Sequence, residues 1–263
     1  MQWLRKLYGV WLLLCFILPF LFLFPLFLLI IVVKPWRRLI KPLNRFWAQC
    51  FFVGGCIPYK VTYEHKPASQ QSYVYCANHT SMIDIIAMGL VVRGPYSFMG
   101  KAELNKVPLF GFMFSRLHIP VNRISKTQSY QAMKKALARI DQGYSILMYP
   151  EGTRSKKAPK LQRFKDGAFR IAIEKQIPVV PVTLPYNWII SGNDQLPQWH
   201  RGEAIVHAPI DTTGLTMDDL PTLKKQTFTV IENELKRHQT PRPIANHRSA
   251  DPSQNSSFGQ INL

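Results

Sequence analysis

A histidine and an aspartate stand where a strand-like run gives way to a helical pattern. His79 and Asp84 follow the β-like run 73–77 and precede the apolar run 85–90. On one continuous helix the two side chains would lie roughly 140° apart, so they meet only if His79 lies on a turn before the helix begins. Paired in this way, an imidazole can act as a general base while the carboxylate fixes its tautomer. Alternatively, Asp84 only caps the helix, in a capping box with Ser81 as N-cap.

A second group of polar residues follows an apolar run that predicts a buried strand, residues 145–149. The group is Pro-Glu-Gly-Thr-Arg, which contains Glu151, Gly152, Thr153 and Arg154. A glycine lets backbone N–H groups approach a ligand closely, and an arginine can bind a phosphate through two parallel hydrogen bonds. The same composition also occurs in ordinary surface turns, so this stretch alone leaves both interpretations open.

Two further cations each follow a predicted strand. Lys101 comes after the run 96–99, and Arg123 comes after the run 119–121. Because α/β proteins form their sites beyond the carboxyl ends of parallel strands, Lys101, Arg123 and Arg154 are predicted to converge on one anion. The alternative is three unrelated surface cations in a chain that has 33 basic residues.

The charge balance of the chain favours an anionic partner. The 263 residues carry a formal net charge of +18, which points to a membrane surface, a phosphorylated substrate or nucleic acid. The four cysteines show no metal-ligand spacing. A reduced, cytosolic environment is therefore favoured over a disulfide framework.

The N-terminal segment is almost wholly apolar from Leu7 to Val33. This length suffices to cross a hydrocarbon layer of roughly 30 Å as a helix, and it lacks the small-residue cleavage site of a signal peptide. Basic residues concentrate after it, which places the bulk of the chain on the cytoplasmic side of the inner, cytoplasmic membrane. Pro19 and Pro25 leave a re-entrant or interfacial hairpin open as the alternative to a spanning helix.

The next segment predicts a basic amphipathic helix that lies on anionic headgroups. Its apolar side consists of Trp36, Leu39, Ile40, Leu43, Trp47 and Phe51. Its other side consists of Arg37, Arg38, Lys41, Asn44 and Arg45. Pro42 must kink this helix or mark its first turn. The alternative is that the apolar stripe packs on the protein core.

The remainder alternates strand-like and helix-like segments, which is typical of an α/β fold. Predicted strands occupy residues 60–64, 72–77, 96–99, 119–121, 145–149, 179–184 and 204–207. Predicted helices follow Ser81 to about residue 92 and occupy residues 127–141, 166–175 and 222–237. The strand 179–184 contains Pro181, which should confine it to a sheet edge or a bulge. We therefore predict membrane-embedded helices at 1–57, one α/β domain at 58–238 and a disordered tail at 239–263.

Taken in order, these motifs resemble those of the glycerolipid acyltransferase family, and specifically of the 1-acylglycerol-3-phosphate (lysophosphatidic acid) acyltransferases. The similarity extends from about Tyr73 to Leu184, and its most specific parts are the His79–Asp84 pair and the Pro-Glu-Gly-Thr-Arg block. The resemblance implies a single mixed-sheet acyltransferase domain with a catalytic dyad of His79 and Asp84. On this interpretation the substrate phosphate is bound by Lys101, Arg123, Glu151, Gly152, Thr153 and Arg154.

The resemblance also implies the substrates. A fatty acyl group would move from acyl-CoA or acyl carrier protein, the co-substrate, to the sn-2 hydroxyl of lysophosphatidic acid, with no other cofactor and no metal. Many family members have an acidic residue where this chain has Asn122, so another lysophospholipid acceptor is an alternative. A hypothesis of a different class is a non-enzymatic, membrane-tethered binding protein. We expect an anionic membrane as partner and no nucleic acid, since no nucleic-acid-binding module is present.

Overall fold

The computed structural model describes residues 2–122, 124–192 and 196–239. One predicted phosphate ligand, Arg123, lies outside the described residues, as does the predicted disordered tail from residue 240 onward.

A seven-stranded mixed sheet forms the centre of the molecule. Its strands are β1 (Tyr59–Tyr63), β2 (Val74–Ala77), β3 (Tyr96–Lys101), β4 (Ile119–Val121), β5 (Ser145–Met148), β6 (Val179–Thr183) and β7 (Gly202–Val206). The spatial order is β1-β7-β6-β2-β5-β3-β4. Strands β6, β2, β5, β3 and β4 are parallel, whereas β7 runs antiparallel to β6 and parallel to β1. Every predicted strand is present with its ends within two residues of the prediction, and the α/β mixed-sheet fold is confirmed.

Eight α-helices are found in the described part of the chain. They are α1 (Gln2–Val32), α2 (Ile40–Gly54), α3 (Ile83–Val91), α4 (Phe110–Leu117), α5 (Lys126–Asp141), α6 (Gly167–Lys175), α7 (Asn187–Ser191) and α8 (Leu220–Gln239). Helices α5, α6 and α8 share a core cluster on one face of the sheet. Helices α3 and α4 pack near the opposite face. The sequence did not predict α4 or α7.

The strand β2 shows why the sheet lies between two helical layers. Val74 and Cys76 belong to the cluster on one face, and Tyr75 and Ala77 belong to the cluster on the other. All four side chains are fully buried. A continuous apolar run of this kind is typical of a parallel strand that is covered on both faces, and it fixes the position of the turn that follows β2.

The first two helices form an antiparallel hairpin. The Tyr8 hydroxyl donates to the Gly55 carbonyl over 2.9 Å, and Trp47 Nε1 donates to the Phe16 carbonyl over 2.9 Å. The hairpin packs on the α/β unit, since Leu12 of α1 and Phe51 of α2 share a cluster with residues of α3.

The amphipathic segment differs from its prediction in two respects. The apolar residues Ile40, Trp47 and Phe51 are buried within the protein, so the alternative of a stripe packed on the core is correct for them. Asn44, predicted on the polar side, is buried and donates to the Tyr96 hydroxyl over 3.1 Å. Pro42 lies in the first turn of α2, where its missing N–H is not needed.

Helix α1 presents an apolar face that the rest of the protein leaves uncovered. It runs unbroken through Pro19 and Pro25 for 31 residues. Within the described residues it is the one helix long and apolar enough to cross a membrane, with a mean hydropathy of 3.0, and 28% of that window is buried. Trp3, Leu18 and Phe22 are among its exposed side chains.

Of the two predicted settings for Pro181, a sheet edge or a bulge, the structure has the second. Strand β6 lies between β2 and β7, but Val182 pairs with Val206 whereas Val179 pairs with Ile210, so one extra residue lies on the β7 side. The proline is tolerated because the β6–β7 ladder is interrupted there. His207 N–H donates to the Pro181 carbonyl over 3.0 Å, but proline has no N–H to return that bond. Regular antiparallel pairing resumes only at Val182 and Thr183.

Candidate active site

His79 lies on the turn between β2 and α3, in contact with Asp84. The Nδ1 atom of His79 is 2.8 Å from Oδ2 of Asp84. The helix begins only at Ile83, so the geometry that the sequence required for this contact is present. The Nε2 atom makes no hydrogen bond among the described residues, and 10% of the His79 side chain remains exposed. One ring nitrogen is therefore fixed while the other stays accessible.

Asp84 is fully buried and accepts four hydrogen bonds. Its Oδ2 atom accepts from Thr80 N–H at 2.7 Å and Ser81 N–H at 2.8 Å, in addition to its contact with His79. Its Oδ1 atom accepts from Asn187 Nδ2 at 2.9 Å. These donors suit the acceptor-only character of an ionised carboxylate. Asp84 thus both orders the helix start and contacts the histidine.

The predicted N-cap is wrong. The helix is preceded by Met82 as N-cap, and the Ser81 hydroxyl accepts from Ile83 N–H at 3.1 Å. Only half of a capping box forms, because the Asp84 carboxylate accepts from Ser81 N–H. The carboxylate is drawn toward His79, and this moves the start of the helix beyond Ser81.

A residue that sequence reasoning missed extends the His79–Asp84 pair. Asn187, at the start of α7, is fully buried and binds Asp84, and its Oδ1 accepts from the Tyr59 hydroxyl at 3.2 Å. Asn187 is 103 residues away from Asp84 along the chain. No local pattern pointed to it, because only the packing of α7 against α3 brings the two together.

Tyr149 stacks on the imidazole of His79. The ring centroids are 4.1 Å apart and the planes differ by 13°. Burial first, and then the nearby Asp84 carboxylate, raise the pKa of Tyr149 well above its ordinary value. The phenol therefore stays protonated, and its buried hydroxyl has no hydrogen-bond partner among the described residues. This ring limits the orientations that the imidazole can adopt.

The Pro-Glu-Gly-Thr-Arg block holds the backbone of His79. Glu151 Oε1 accepts from His79 N–H at 2.7 Å, and Ser155 N–H donates to the His79 carbonyl over 2.7 Å. The other Glu151 oxygen accepts from Gln162 N–H at 3.0 Å. Burial raises the pKa of Glu151 to about 7 despite these two N–H donors. Both carboxylate oxygens therefore contact protein backbone, which fits a positioning role better than the predicted phosphate contact.

The turn after Glu151 is open. Gly152 has a φ of +78°, a conformation that favours glycine. Thr153 and Arg154 are exposed, and their backbone N–H groups make none of the hydrogen bonds found in the described residues. These two N–H groups are available to a ligand.

Two of the predicted cations, Lys101 and Arg154, lie on the expected edge of the sheet. Lys101 ends β3 and is exposed, and its Nζ is 3.0 Å from Glu103 Oε1. Because β2, β5, β3 and β4 are parallel neighbours, their carboxyl ends lie at one edge. That edge carries His79, Lys101 and the block with Arg154. Convergence of the cations on one anion stays a prediction, since Arg123 lies outside the described residues.

An apolar cavity of about 410 Å³ lies beside α3. Its walls include Met82, Ile83, Ile86 and Gly89 of α3, Leu12 and Phe16 of α1, Trp47 and Phe51 of α2, and Phe110 and Phe114 of α4. Its few polar wall residues include the partly buried His118, whose pKa is lowered to about 4 by desolvation. The sequence did not reveal this cavity, because its walls come from helices far apart in the chain.

Comparisons with known proteins show what this chain is similar to. The acyltransferase family model matches residues 59–185. An uncharacterized acyltransferase of Schizosaccharomyces pombe is 31% identical over 67% of this chain and 65% of its own length. The chloroplastic 1-acyl-sn-glycerol-3-phosphate acyltransferase BAT2 of Brassica napus is 33% identical over 56% of this chain and 43% of its own length. This chain thus spans less than two thirds of either relative.

A solved structure shares the fold. The lysophosphatidic acid acyltransferase PlsC from Thermotoga maritima superposes with a TM-score of 0.75 at 19% identity, and the match covers 91% of this chain and 99% of that one. The matched segment 59–185 contains His79, Asp84 and Glu151. Residues 59–185, which contain the candidate site, therefore form an acyltransferase family domain.

Proposed function

We propose that this chain transfers a fatty acyl group from acyl-CoA or acyl carrier protein to the sn-2 hydroxyl of lysophosphatidic acid, giving phosphatidic acid. The observation that carries the proposal is the fixed His79–Asp84 pair, 2.8 Å apart, with its accessible Nε2 near an apolar cavity. The names of relatives such as the Escherichia coli 1-acyl-sn-glycerol-3-phosphate acyltransferase, 29% identical over 65% of this chain, support this acceptor.

The proposed chemistry needs one base and no nucleophile from the enzyme. The acceptor hydroxyl oxygen attacks the thioester carbonyl carbon while His79 Nε2 takes the hydroxyl proton. Asp84 holds Nδ1 and stabilises the imidazolium that forms. The C–S bond then breaks, and the proton passes from His79 to the departing thiolate. The ester and the free thiol are the products, and His79 is returned to its neutral form.

The negative charge that develops on the carbonyl oxygen needs N–H donors. The helix start supplies few of them, since the N–H groups of Thr80, Ser81 and Ile83 are already used within the protein. The open turn at Thr153 and Arg154 is therefore the better source of oxyanion donors.

The apolar cavity suits an acyl chain. Its wall begins at Met82, three residues after the histidine, and continues between the helical hairpin and the sheet. An acyl chain placed there would bring its carbonyl toward His79. The exposed basic residues Lys156, Lys157, Lys160, Arg163 and Lys165 follow the Arg154 turn, and they suit the phosphates of CoA or an acidic carrier protein.

We further propose that Arg154, Lys101 and Arg123 bind the phosphate of the acceptor. Arg154 has no carboxylate partner within the described residues, so its guanidinium is available for a bidentate contact. Asn122, where many family members have an acidic residue, has a local structural role. Its Oδ1 accepts from Ile124 N–H at 3.0 Å and from Ser125 N–H at 3.4 Å. Asn122 thus shapes the turn before α5, which lessens its weight as a sign of a different headgroup.

Attachment to the membrane is proposed through the exposed face of α1. The contacts of Tyr8 with Gly55 and of Trp47 with Phe16 bring the end of α2 back beside the start of α1. This arrangement favours a hairpin inserted from one side of the membrane over a single spanning helix. A basic protein attached in this way belongs on the cytoplasmic face of the inner membrane. Its active site would then take lysophosphatidic acid directly from that leaflet.

The test is an acyl-transfer assay with the purified full chain in vesicles. Lysophosphatidic acid, lysophosphatidylcholine and lysophosphatidylglycerol are offered with either acyl-CoA or acyl carrier protein as donor. The proposal expects the highest kcat/KM for lysophosphatidic acid. A higher value for another lysolipid would support the alternative acceptor, and membrane binding without turnover by any donor would support the non-enzymatic hypothesis.

A further inference from the structure

A second cavity lies between α2 and the edge strand β1, and it shares no wall residue with the apolar cavity. Its volume is about 590 Å³. Part of its wall is apolar, formed by Phe52, Val53, Ile57, Val61 and Leu90. The rest includes three cations, Arg45, Lys66 and Arg93. We refer to it as the α2–β1 cleft.

The cations of the α2–β1 cleft have no acidic partners in the part of the chain that the structure describes. Among the described residues, no carboxylate forms an ion pair with Arg45, Lys66 or Arg93. The nearby Glu64 instead lies 3.0 Å from Nδ1 of His207. The Nε atom of Arg93 is buried and has no hydrogen-bond partner in the described part of the chain. An unpaired buried donor of this kind is costly, and an oxygen from a bound anion would satisfy it.

A fourth cation, Lys41, lies near Arg45 and Arg93 of the cleft. Lys41 is one helical turn before Arg45 on α2, and it is partly buried. Burial first, and then the charges of Arg93 and Arg45, lower the pKa of Lys41. An anion bound between them would relieve this repulsion.

The cationic end of the cleft is remote from the candidate active site. Helix α3 begins at Ile83, beside His79, and Arg93 follows its other end at Val91. Nine residues of helix separate the two ends by about 13 Å. An anion held by Arg93 is therefore not the phosphate of the lipid that reacts at His79.

Apolar side chains on the same helix extend out of the cleft. Val53, in the wall, is 77% exposed, and Phe46, next to Arg45, is 50% exposed. Leu39, just before α2, is also half exposed. A small inorganic anion would not contact these apolar side chains. A molecule with one anionic group and hydrocarbon chains would contact both the cations and the apolar side chains.

We propose that the α2–β1 cleft binds an anionic phospholipid of the membrane, with the lipid phosphate between Arg45, Lys66 and Arg93 and its chains along Phe46 and Val53. This lipid is a ligand additional to the donor and the acceptor. It would fix the depth and tilt of the helical hairpin in the membrane.

The test measures binding of a soluble phospholipid to the full chain in a neutral detergent. Dihexanoyl phosphatidylglycerol is titrated by calorimetry, with dihexanoyl phosphatidylcholine and inorganic phosphate as separate titrants. The wild-type chain is expected to bind the phosphatidylglycerol at one saturable site, and to bind the other two at least about tenfold more weakly. In Arg45→Gln/Lys66→Gln the Kd for phosphatidylglycerol should rise at least about tenfold, because two charge-assisted contacts are lost.

The matched control is Lys134→Gln/Lys135→Gln, which removes the same charge from two exposed positions on α5. It should leave the Kd unchanged. Arg93→Gln provides a second variant inside the cleft, with circular dichroism as the check of its fold, and it should weaken binding by a similar factor. Equal weakening in the α5 control, unchanged binding in Arg45→Gln/Lys66→Gln, or equally tight binding of inorganic phosphate would each overturn the proposal.

Discussion

Two of the histidine–carboxylate pairs in the described part of the chain differ in what the second ring nitrogen contacts. In one pair, His79 Nδ1 is 2.8 Å from Asp84 and Nε2 has no hydrogen bond among the described residues. In the other, His207 Nδ1 is 3.0 Å from Glu64, and Nε2 is 2.8 Å from the Thr183 hydroxyl. Histidine, carboxylate and hydroxyl in the second pair have the contacts of a hydrolase triad, yet Thr183 is fully buried inside β6.

The difference shows that a short histidine–carboxylate contact is not a sign of catalysis by itself. His207 lies at the end of β7 in the sheet, where both of its ring nitrogens bind protein atoms. His79 lies on a turn at the carboxyl edge of parallel strands, where α/β sites form. The position in the fold and the accessible nitrogen, rather than the ion pair, distinguish the candidate base.

The largest effect is expected from His79→Ala. Loss of a general base should lower kcat for acyl transfer by about 10²–10⁴, while the fold and the membrane binding persist. The measurement is turnover in vesicles, with circular dichroism and vesicle flotation as controls. Turnover close to that of the wild type would reject His79 as the base.

Asp84→Asn should come next. An amide in place of the carboxylate disfavours the tautomer that leaves Nε2 unprotonated, and a comparable change in a serine protease triad costs about 10⁴ in rate. The variant also loses helix-capping contacts worth about 1 kcal/mol. Thermal melting separates the two effects, since lost stability with a nearly normal rate would leave capping as the main role of Asp84.

Glu151 provides a prediction on pH. Its pKa is raised to about 7 in the folded protein from 4.5, so its neutral form is favoured by folding. The stability that the neutral Glu151 carboxyl contributes to the folded protein is complete below pH 4.5 and is lost as the pH rises through 7. The loss is at most about 3 kcal/mol. The melting temperature of Glu151→Gln, relative to that of the wild type, should therefore increase between pH 4.5 and 8. A constant difference over this range would contradict the shift.

Arg154→Ala should change the kinetics only for the phosphate-bearing acceptor. Loss of a charge-assisted phosphate contact, worth about 1.5–3 kcal/mol, should lower kcat/KM for lysophosphatidic acid by about 10- to 150-fold. Arg154→Lys should recover only part of it, because the ammonium lacks the planar fork. The comparison substrate is a lysolipid without a free phosphate. An equal loss with both acceptors would assign Arg154 to the donor or to the fold.

His207→Leu should have the smallest effect on catalysis. The change leaves the buried Thr183 hydroxyl without its partner, which should cost about 1–3 kcal/mol in the free energy of unfolding. The rate per folded molecule should stay within about twofold of the wild type. A rate loss similar to that of His79→Ala would remove the distinction between the two pairs.

Local patterns in the sequence predicted those parts of the structure that local forces determine. The apolar run 73–77 and the helical pattern of residues 127–141 were sufficient for a buried strand and a helix, because each pattern matches one regular element. The turn at His79 followed from the same reasoning. Asn187, the stack of Tyr149 on His79 and the apolar cavity could not be predicted, since they depend on contacts between segments far apart in the chain.

One wrong prediction and one open alternative have the same origin. Asn44 was placed on the polar side of its helix by residue type, but the Tyr96 hydroxyl gives it a buried partner. Pro181 was predicted at a sheet edge or at a bulge, and the irregular pairing of β6 with the β7 side shows that the bulge is correct. Both outcomes depend on contacts with a remote segment.

The helical hairpin has a consequence for how such an enzyme can change. Gly9 and Leu12 of α1 and Ala48 of α2 belong to the wall of the apolar cavity, while the outer face of α1 is exposed. On the function and membrane attachment proposed above, the same two helices would face the bilayer and the acyl chain at once. Substitutions that adapt the chain to a thicker or more fluid bilayer would alter which fatty acids fit. Exchange of the hairpin between homologues would transfer fatty-acid preference together with membrane preference, so that the two traits evolve as one.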